Sequence, residues 1–334
     1  TTLLREHYQG MKHWVEYLQT RTDDKGIVVR EEPNGWCLGE WSTPHNRIEI
    51  PASLVNTAYF YHVTCIMADV AGILNKKNDE HHLRTLAETI RKNFNAAFYN
   101  EATHHYGEGK QGADVFALAF GLVPDGKREK VFAALLGHLE KVNYHFDTGI
   151  LATPLLLQVL TENGRADLAY KLMNQRDFPS YGYLADKKNN TLWETWNGDG
   201  NDEGCGHCHP MFGSVVAWFY HSLAGIKPDQ SDPGMKHFYI EPMIVPDLKY
   251  CRATYDSQYG KISSDWKIDE NGNLNIKIEV PANTSATVII PDWGGSTVLE
   301  SGKPVSEVSN IVIDKVDSAR MEVSSGVYHF IILK

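Results

Sequence analysis

A chain of 334 residues, 42% apolar and 22% charged, is long enough to bury a sizeable core in two domains and too hydrophobic to be a disordered tail. Its net charge of −10 and pI near 5.8, with no run of Lys or Arg, exclude the concentrated basic surface that nucleic acid or an anionic membrane requires, so a neutral ligand fits best. Five scattered cysteines exclude a disulfide scaffold, and no apolar run approaches the roughly 20 residues of a membrane-inserted helix.

The first residues, Thr1-Thr2-Leu3-Leu4-Arg5-Glu6, have neither an initiator Met nor the order of a signal peptide, which predicts a trimmed or processed chain. Over residues 3–19, Leu4, Tyr8, Met11, Val15 and Leu18 recur at three- and four-residue spacing, the period of an amphipathic helix. A turn-rich stretch follows and contains Gly35-Trp36-Cys37-Leu38-Gly39-Glu40-Trp41, a carboxylate flanked by indoles. It reads equally as a Gly-rich turn plugged by tryptophans and as part of a ligand site. Residues 53–74 are apolar nearly all round, as an inner helix is, whereas 79–99 carry Leu83, Leu86, Ile90, Phe94 and Phe98 on one face only, as an outer partner does. The alternation continues through 112–122, 127–142 after Pro124-Asp125-Gly126, 150–161, 165–175 after Asn163-Gly164, and a last apolar helix, 211–224. About eight helices in antiparallel pairs result. The longer Gly-, Asn- and His-rich connections, 36–51, 104–111, 144–149 and 181–209, would then share one rim, where loops on a rigid scaffold carry function.

After Pro228-Asp229-Gln230-Ser231-Asp232-Pro233-Gly234 the period changes from 3.6 to 2, which divides the chain into a helical domain, 1–234, and a β domain, 235–334. Residues 262–268 and 274–280 alternate around Asn271-Gly272, a hairpin signal, and 284–290, 310–313 and 327–333 add short strands. An antiparallel β-sandwich of about eight strands is expected, and it contains no catalytic constellation.

The chemistry concentrates in residues 181–200, where Glu194 sits between Trp193 and Trp196 with Asn189-Asn190 before it and Asn197-Gly198-Asp199-Gly200 after it. Two indoles can offer flat faces to the C–H side of a pyranose while the carboxylate polarises a water or accepts sugar hydroxyls. The competing reading is two core tryptophans beside a solvated glutamate. Cys205-Gly206-His207-Cys208-His209 gathers four metal-ligating side chains, but adjacent His-Cys-His cannot all turn to one ion and structural zinc needs a second, distant pair, so no metal is expected. One substrate-facing histidine on that loop is the better reading. His81-His82 and His104-His105 read as solvated side chains. With no Gly-x-Gly-x-x-Gly, P-loop or Gly-x-Ser-x-Gly, nucleotide cofactors and serine chemistry have no motif behind them, and no cofactor is expected. Two carboxylates near tryptophans remain, Glu40 and Glu194, and glycoside hydrolysis uses such a pair.

Those residues are similar, almost end to end, to the C-terminal part of bacterial α-L-rhamnosidases of glycoside hydrolase family 78. Phe178-Pro179-Ser180-Tyr181-Gly182-Tyr183 leading to Thr191-Leu192-Trp193-Glu194-Thr195-Trp196 resembles the family's Pro-Ser-(aromatic)-Gly-(aromatic) segment and its Thr-x-Trp-Glu-x-Trp. His209-Pro210-Met211-Phe212-Gly213-Ser214-Val215 resembles its Asn-His-x-x-(aromatic)-Gly-Ser-Val. Leu223-Ala224-Gly225-Ile226, Pro233-Gly234 and Tyr239-Ile240-Glu241-Pro242 resemble its helix-to-sandwich junction, and Gly39-Glu40-Trp41 its Gly-Asp-Trp. The resemblance implies an (α/α)6 toroid followed by a β-sandwich. It implies Glu194 as the general base and His209 as a sugar contact. It further implies Trp41 as a subsite wall, and the residues themselves add Glu40, Trp36, Trp193 and Trp196 as expected substrate contacts. A rhamnose-containing glycoside or oligosaccharide is the implied partner, and a bacterial periplasmic or secreted location is implied by the family alone.

There are departures: Glu40 replaces the usual Asp, Cys208 stands where Asn is common, and the family's acidic segment bearing the general acid has no counterpart here. Twelve helices make the family barrel against about eight counted here, so the toroid is expected to lack N-terminal helices. An inverting α-L-rhamnosidase is the leading expectation, and a carbohydrate-binding protein without chemistry or an (α/α)6 glycosidase for another sugar are the alternatives. Residues 1–334 alone are expected to be inactive and to associate through apolar faces on 4–18 and 211–224.

Overall fold

The computed structural model describes residues 1–29, 38–44, 50–187, 191–197, 206–291, 297–314 and 319–334. They form two compact units, Thr1–Gly213 and Ser214–Lys334. Trp36 lies outside the described residues.

The first unit is helical: α1 Thr2–Gln19, α2 Ala52–Ile73, α3 Lys77–Phe98, α4 Gln111–Phe120, α5 Arg128–Lys141, α6 Ala152–Glu162, α7 Ala166–Asn174 and α8 Tyr181–Asp186. Seven of these fall within a few residues of the spans their periodicity predicts, because a 3.6-residue apolar period needs only local information. The packing follows the same pattern. α2, α4 and α6 touch one another in series, and α3, α5 and α7 each pack on the preceding inner helix. α2 buries residues on every side, from Leu54 and Val55 to Met67 and Ala71, whereas α3 buries only Leu83, Ala87, Ile90 and Phe94. The hairpins are tied at their ends by specific bonds. Tyr8 donates to Asp79 at 2.7 Å, joining α1 to α3, and Arg91 of α3 reaches the Val123 carbonyl and Asp125 beyond α4. Gly121 ends α4 in the left-handed region, where a glycine carries no Cβ penalty.

α1 and α2 leave an apolar groove of about 700 Å³ between Gly10, Met11, Trp14 and Val15 on one side and Val63, Ile66, Met67 and Val70 on the other. Trp14 is 51% exposed and Ile66 47%.

The expected helix 211–224 is broken into pieces. A 3-10 turn at Pro210–Ser214 leads to one α-turn, α9 Val215–Trp218, and a π-turn at Phe219–Leu223. At its end the carbonyls of Ser222, Leu223 and Ala224 accept from Met243 N, Trp266 Nε1 and Ser264 Oγ, all beyond the helix. These donors satisfy terminal carbonyls that a helix leaves without a partner of its own. Gly225 then turns the chain at φ 75°, where a Cβ would lie 2.2 Å from the Glu241 carbonyl carbon.

Among the described residues nine strands form one continuous hydrogen-bonded sheet: β1 Ile226–Pro228, β2 His237–Ile240, β3 Tyr250–Ser257, β4 Gly260–Ile268, β5 Leu274–Ile289, β6 Val298–Glu300, β7 Lys303–Pro304, β8 Ile311–Ile313 and β9 Arg320–Ile332. The hairpin around Asn271-Gly272 pairs Ile268 with Leu274, and Asp269 caps it by accepting from Asn271 N and Asn273 N. The predicted strands 274–280 and 284–290 are one 16-residue strand with a bulge between Val280 and Ser285. All pairs are antiparallel except β2 with β5. β3 has no counterpart in the sequence reading because it pairs with β4 alone and leaves most of its side chains exposed, so period-2 hydrophobicity is weak there. Alternate residues of β4, β5 and β9, among them Trp266, Ile276, Ile278, Phe330 and Ile332, form the buried core.

Candidate active site

The segment Thr148–Ala152 at the start of α6 joins both tryptophan motifs. On one side Trp196 Nε1 donates to the Thr148 carbonyl at 2.9 Å. On the other, Ile150 N donates to the Trp41 carbonyl at 3.1 Å, and Ala152 N to both Glu40 carboxylate oxygens at 3.1 and 3.2 Å. A clamp fixes the preceding loop. Gln111 N and Asp147 N each donate to the other's side chain at 3.1 Å, and Gln111 Nε2 donates to the His145 carbonyl. The Asp147 carboxylate also holds His138 at 2.6 Å.

Glu40 was expected to face substrate, and the structure corrects this. It is 1% exposed, and burial pushes its carboxyl up to about 7 although backbone N–H groups of Ala152, Gly149 and Leu151 favour the charge. Its oxygens complete the N-terminus of α6, whose first N–H groups have no partner within the helix. Gly149 permits this approach, since a Cβ there would come 1.8 Å from the Trp41 carbonyl oxygen. The Trp41 side chain, by contrast, is 38% exposed.

Trp196 is the second correction. It is fully buried, with ring centroids 4.5 Å from Phe212, 5.0 Å from Phe146 and 5.3 Å from Tyr181. Its faces are taken by protein, so it seats the loop and offers nothing to a sugar. The neighbouring motif does the same work. Ser180 caps α8 by accepting from Tyr183 N, Tyr181 donates to the Phe212 carbonyl at 2.8 Å, and Gly182 lies so close to Gln175 that a Cβ would be 2.2 Å from its carbonyl oxygen. By its composition the segment 181–186 is expected to be loop, and the structure makes it the short helix α8. Six residues are too few for a helical period to register.

Upon this base stands Glu194, half-buried. Glu194 N donates to the Gly206 carbonyl at 2.9 Å, Gly206 N returns a bond to Glu194 Oε2 at 2.8 Å, and His209 N donates to the Leu192 carbonyl at 2.9 Å. Residues 192–194 and 206–209 are thus tied side by side. Among the described residues Glu194 Oε1 has no hydrogen-bond partner, and the buried His209 Nδ1 has none either. Trp193 is half-buried and stacks on the exposed His207 at 4.0 Å and 5°, so one indole face is covered by an imidazole. Gly206 belongs to the stretch 205–209, which reads in sequence as a loop with one substrate-facing histidine rather than a metal cluster. Its partner Glu194 is 12 positions away in sequence, so the pairing leaves no local signal.

His105 and Asp114 form a pair at 2.6 Å, and the hydrogen bond that the Asp114 carboxylate accepts holds His105 above its ordinary value. His104 bonds the Tyr99 hydroxyl at 2.8 Å, so neither histidine of that dipeptide is simply solvated, whereas His81 and His82 are exposed. Among the described residues no three His, Cys, Asp or Glu side chains are grouped to hold a metal, and no helix is long and apolar enough to cross a membrane.

Residues 1–223 match the model of the bacterial alpha-L-rhamnosidase 6 hairpin glycosidase domain, and residues 225–303 that of the bacterial alpha-L-rhamnosidase C-terminal domain. An alpha-L-rhamnosidase of Formosa agariphila is 29% identical over 336 residues, covering 98% of this chain and 36% of the relative. The crystal structure of Streptomyces avermitilis alpha-L-rhamnosidase complexed with L-rhamnose superposes with a TM-score of 0.85 at 31% identity, over 99% of this chain and 31% of that one. The alpha-L-rhamnosidase from Dictyoglumus thermophilum gives a TM-score of 0.87 at 32% identity, over 100% and 37%. The chain spans between 27% and 36% of the length of the curated relatives it matches.

Proposed function

We propose, for a chain that belongs to the bacterial α-L-rhamnosidase family, that it forms part of an inverting glycoside hydrolase releasing terminal α-L-rhamnose, with Glu194 as general base. The observation that carries the reading is the state of the Glu194 carboxylate. Its Oε2 is anchored by a backbone N–H, and among the described residues its Oε1 has no partner, so Oε1 can take a proton from a water attacking the anomeric carbon. His209 supports the same reading, because a buried imidazole nitrogen with no partner among the described residues is costly unless a ligand hydroxyl completes it. Exposed Trp41 and the uncovered face of Trp193 are the apolar surfaces for the sugar ring.

Protonation of the leaving oxygen is a separate task, and Glu40 is unsuited to it with both oxygens on the backbone of α6. The test uses the complete gene product and an aryl α-L-rhamnoside. Glu194→Gln should lower kcat roughly 10²–10⁴-fold, and the first sugar released by the wild type should be the β-anomer by NMR. A Glu194→Gln enzyme that keeps more than about a tenth of the rate would end the assignment. Rhamnose binding without turnover by the wild type would favour a purely sugar-binding protein.

A further inference from the structure

Gly206 lies between the two groups to which the proposed chemistry assigns a role. A Cβ built on it would stand 3.1 Å from Glu194 Oε2 and 3.6 Å from His209 Cδ2. The first distance is tighter than ordinary contact, so a side chain here would push the carboxylate by a few tenths of an ångström from the N–H that now reaches it at 2.8 Å. The bond is not an isolated one. Glu194 N donates back to Gly206 O, and His209 N to Leu192 O, so the donor cannot turn away without breaking the pairing of the two segments.

We propose that Gly206 is a positioning residue for the hydrolytic reaction: its backbone N–H holds Oε2 and its missing side chain leaves the carboxylate plane undisturbed, so that Oε1 is the oxygen presented to the attacking water. The proposal rests on Glu194 being the general base. A half-buried glutamate otherwise rotates freely about its last torsion, and a proton acceptor must be held to within about half an ångström to act. Among the described residues, a methyl at Gly206 first meets the Glu194 carboxylate and then the His209 imidazole, so the crowding from alanine falls on those two groups.

The experiment is a double-mutant cycle in the complete gene product on an aryl α-L-rhamnoside, with Gly206→Ala, Glu194→Gln and the double variant. A methyl that displaces the carboxylate by a few tenths of an ångström should lower kcat roughly tenfold and leave KM within about twofold. Because Gly206 acts only through the carboxylate, the same alanine should change kcat by less than about twofold when residue 194 is already Gln. Equal losses in both backgrounds would mean a merely structural glycine and overturn the proposal, as would a Gly206→Ala enzyme with wild-type kcat. Gly206→Pro, which removes the N–H outright, should lose at least as much as Gly206→Ala, and a fully active proline variant would also overturn it. If Glu194→Gln itself keeps its rate, the base assignment and the positioning role fall together, an outcome distinct from those in which Glu194→Gln is crippled and Gly206→Ala is not.

Discussion

Replacing Trp196 by Phe separates a sugar-binding indole from a structural one. Phenylalanine keeps an aromatic ring among Phe146, Tyr181 and Phe212 but lacks the Nε1–H that the Thr148 carbonyl receives at 2.9 Å. Thr148 is fully buried, so its carbonyl cannot turn to water, and an orphaned buried acceptor costs about 1–3 kcal/mol. The atoms missing from the fused ring leave a void that adds about 1–2 kcal/mol. A loss of about 3 kcal/mol is the central expectation. For a unit the size of Thr1–Gly213 each kcal/mol lowers the midpoint by roughly 2–4 °C, so a fall of roughly 6–12 °C follows. The assay is thermal unfolding of the complete gene product beside a Trp193→Phe control. That ring is half-buried against exposed His207, and the control should move the midpoint by no more than about 2 °C. A Trp196→Phe protein with an unchanged midpoint and rhamnose binding weakened tenfold or more would refute the structural role.

Glu40 should make stability fall as pH rises. Its folded carboxyl titrates at about 7 against 4.5 ordinarily, so the folded state holds the extra proton between those values and about 3 kcal/mol is lost across that window. Urea unfolding at pH 5 and pH 8 should show a smaller difference for Glu40→Gln than for the wild type, and an unchanged difference would contradict it. Gly149→Ala drives a methyl to 1.8 Å from the Trp41 carbonyl oxygen and should cost about 3 kcal/mol or more, whereas Gly137→Ala, with nothing within 4 Å, should not destabilise in the same denaturation assay. Residues 1–334 expressed alone should self-associate through the groove around Trp14 and Ile66. The pair Trp14→Lys and Ile66→Lys should shift sedentation profiles toward the monomer in analytical ultracentrifugation, and an unmoved profile would place the contact elsewhere.

The helices 3–19, 53–74 and 79–99 and the hairpin around Asn271-Gly272 were determined by the sequence itself, because each is written in the spacing of apolar residues along a few turns or in a two-residue turn signal. The inner or outer status of α2 and α3 was legible for the same reason, since an apolar residue on every face needs a neighbour on every face. Trp193 and Trp196 show where that information stops. They flank one glutamate in one hexapeptide, yet one stacks on an exposed histidine and the other is sealed among three rings from positions 146, 181 and 212. Glu40 likewise looks no different in sequence from Glu194, and only the arrival of the α6 N-terminus, 112 residues later, occupies its oxygens. The segment 210–223 has the apolar spacing of one helix but folds as a 3-10 turn, an α-turn and a π-turn, with the carbonyls at its end taken by donors at 243, 264 and 266. Local spacing determines which segments form and which face turns inward. Which side chain then remains accessible to a ligand is decided by distant segments that meet it only after packing, and burial depends on that meeting rather than on the residue's neighbours in the chain.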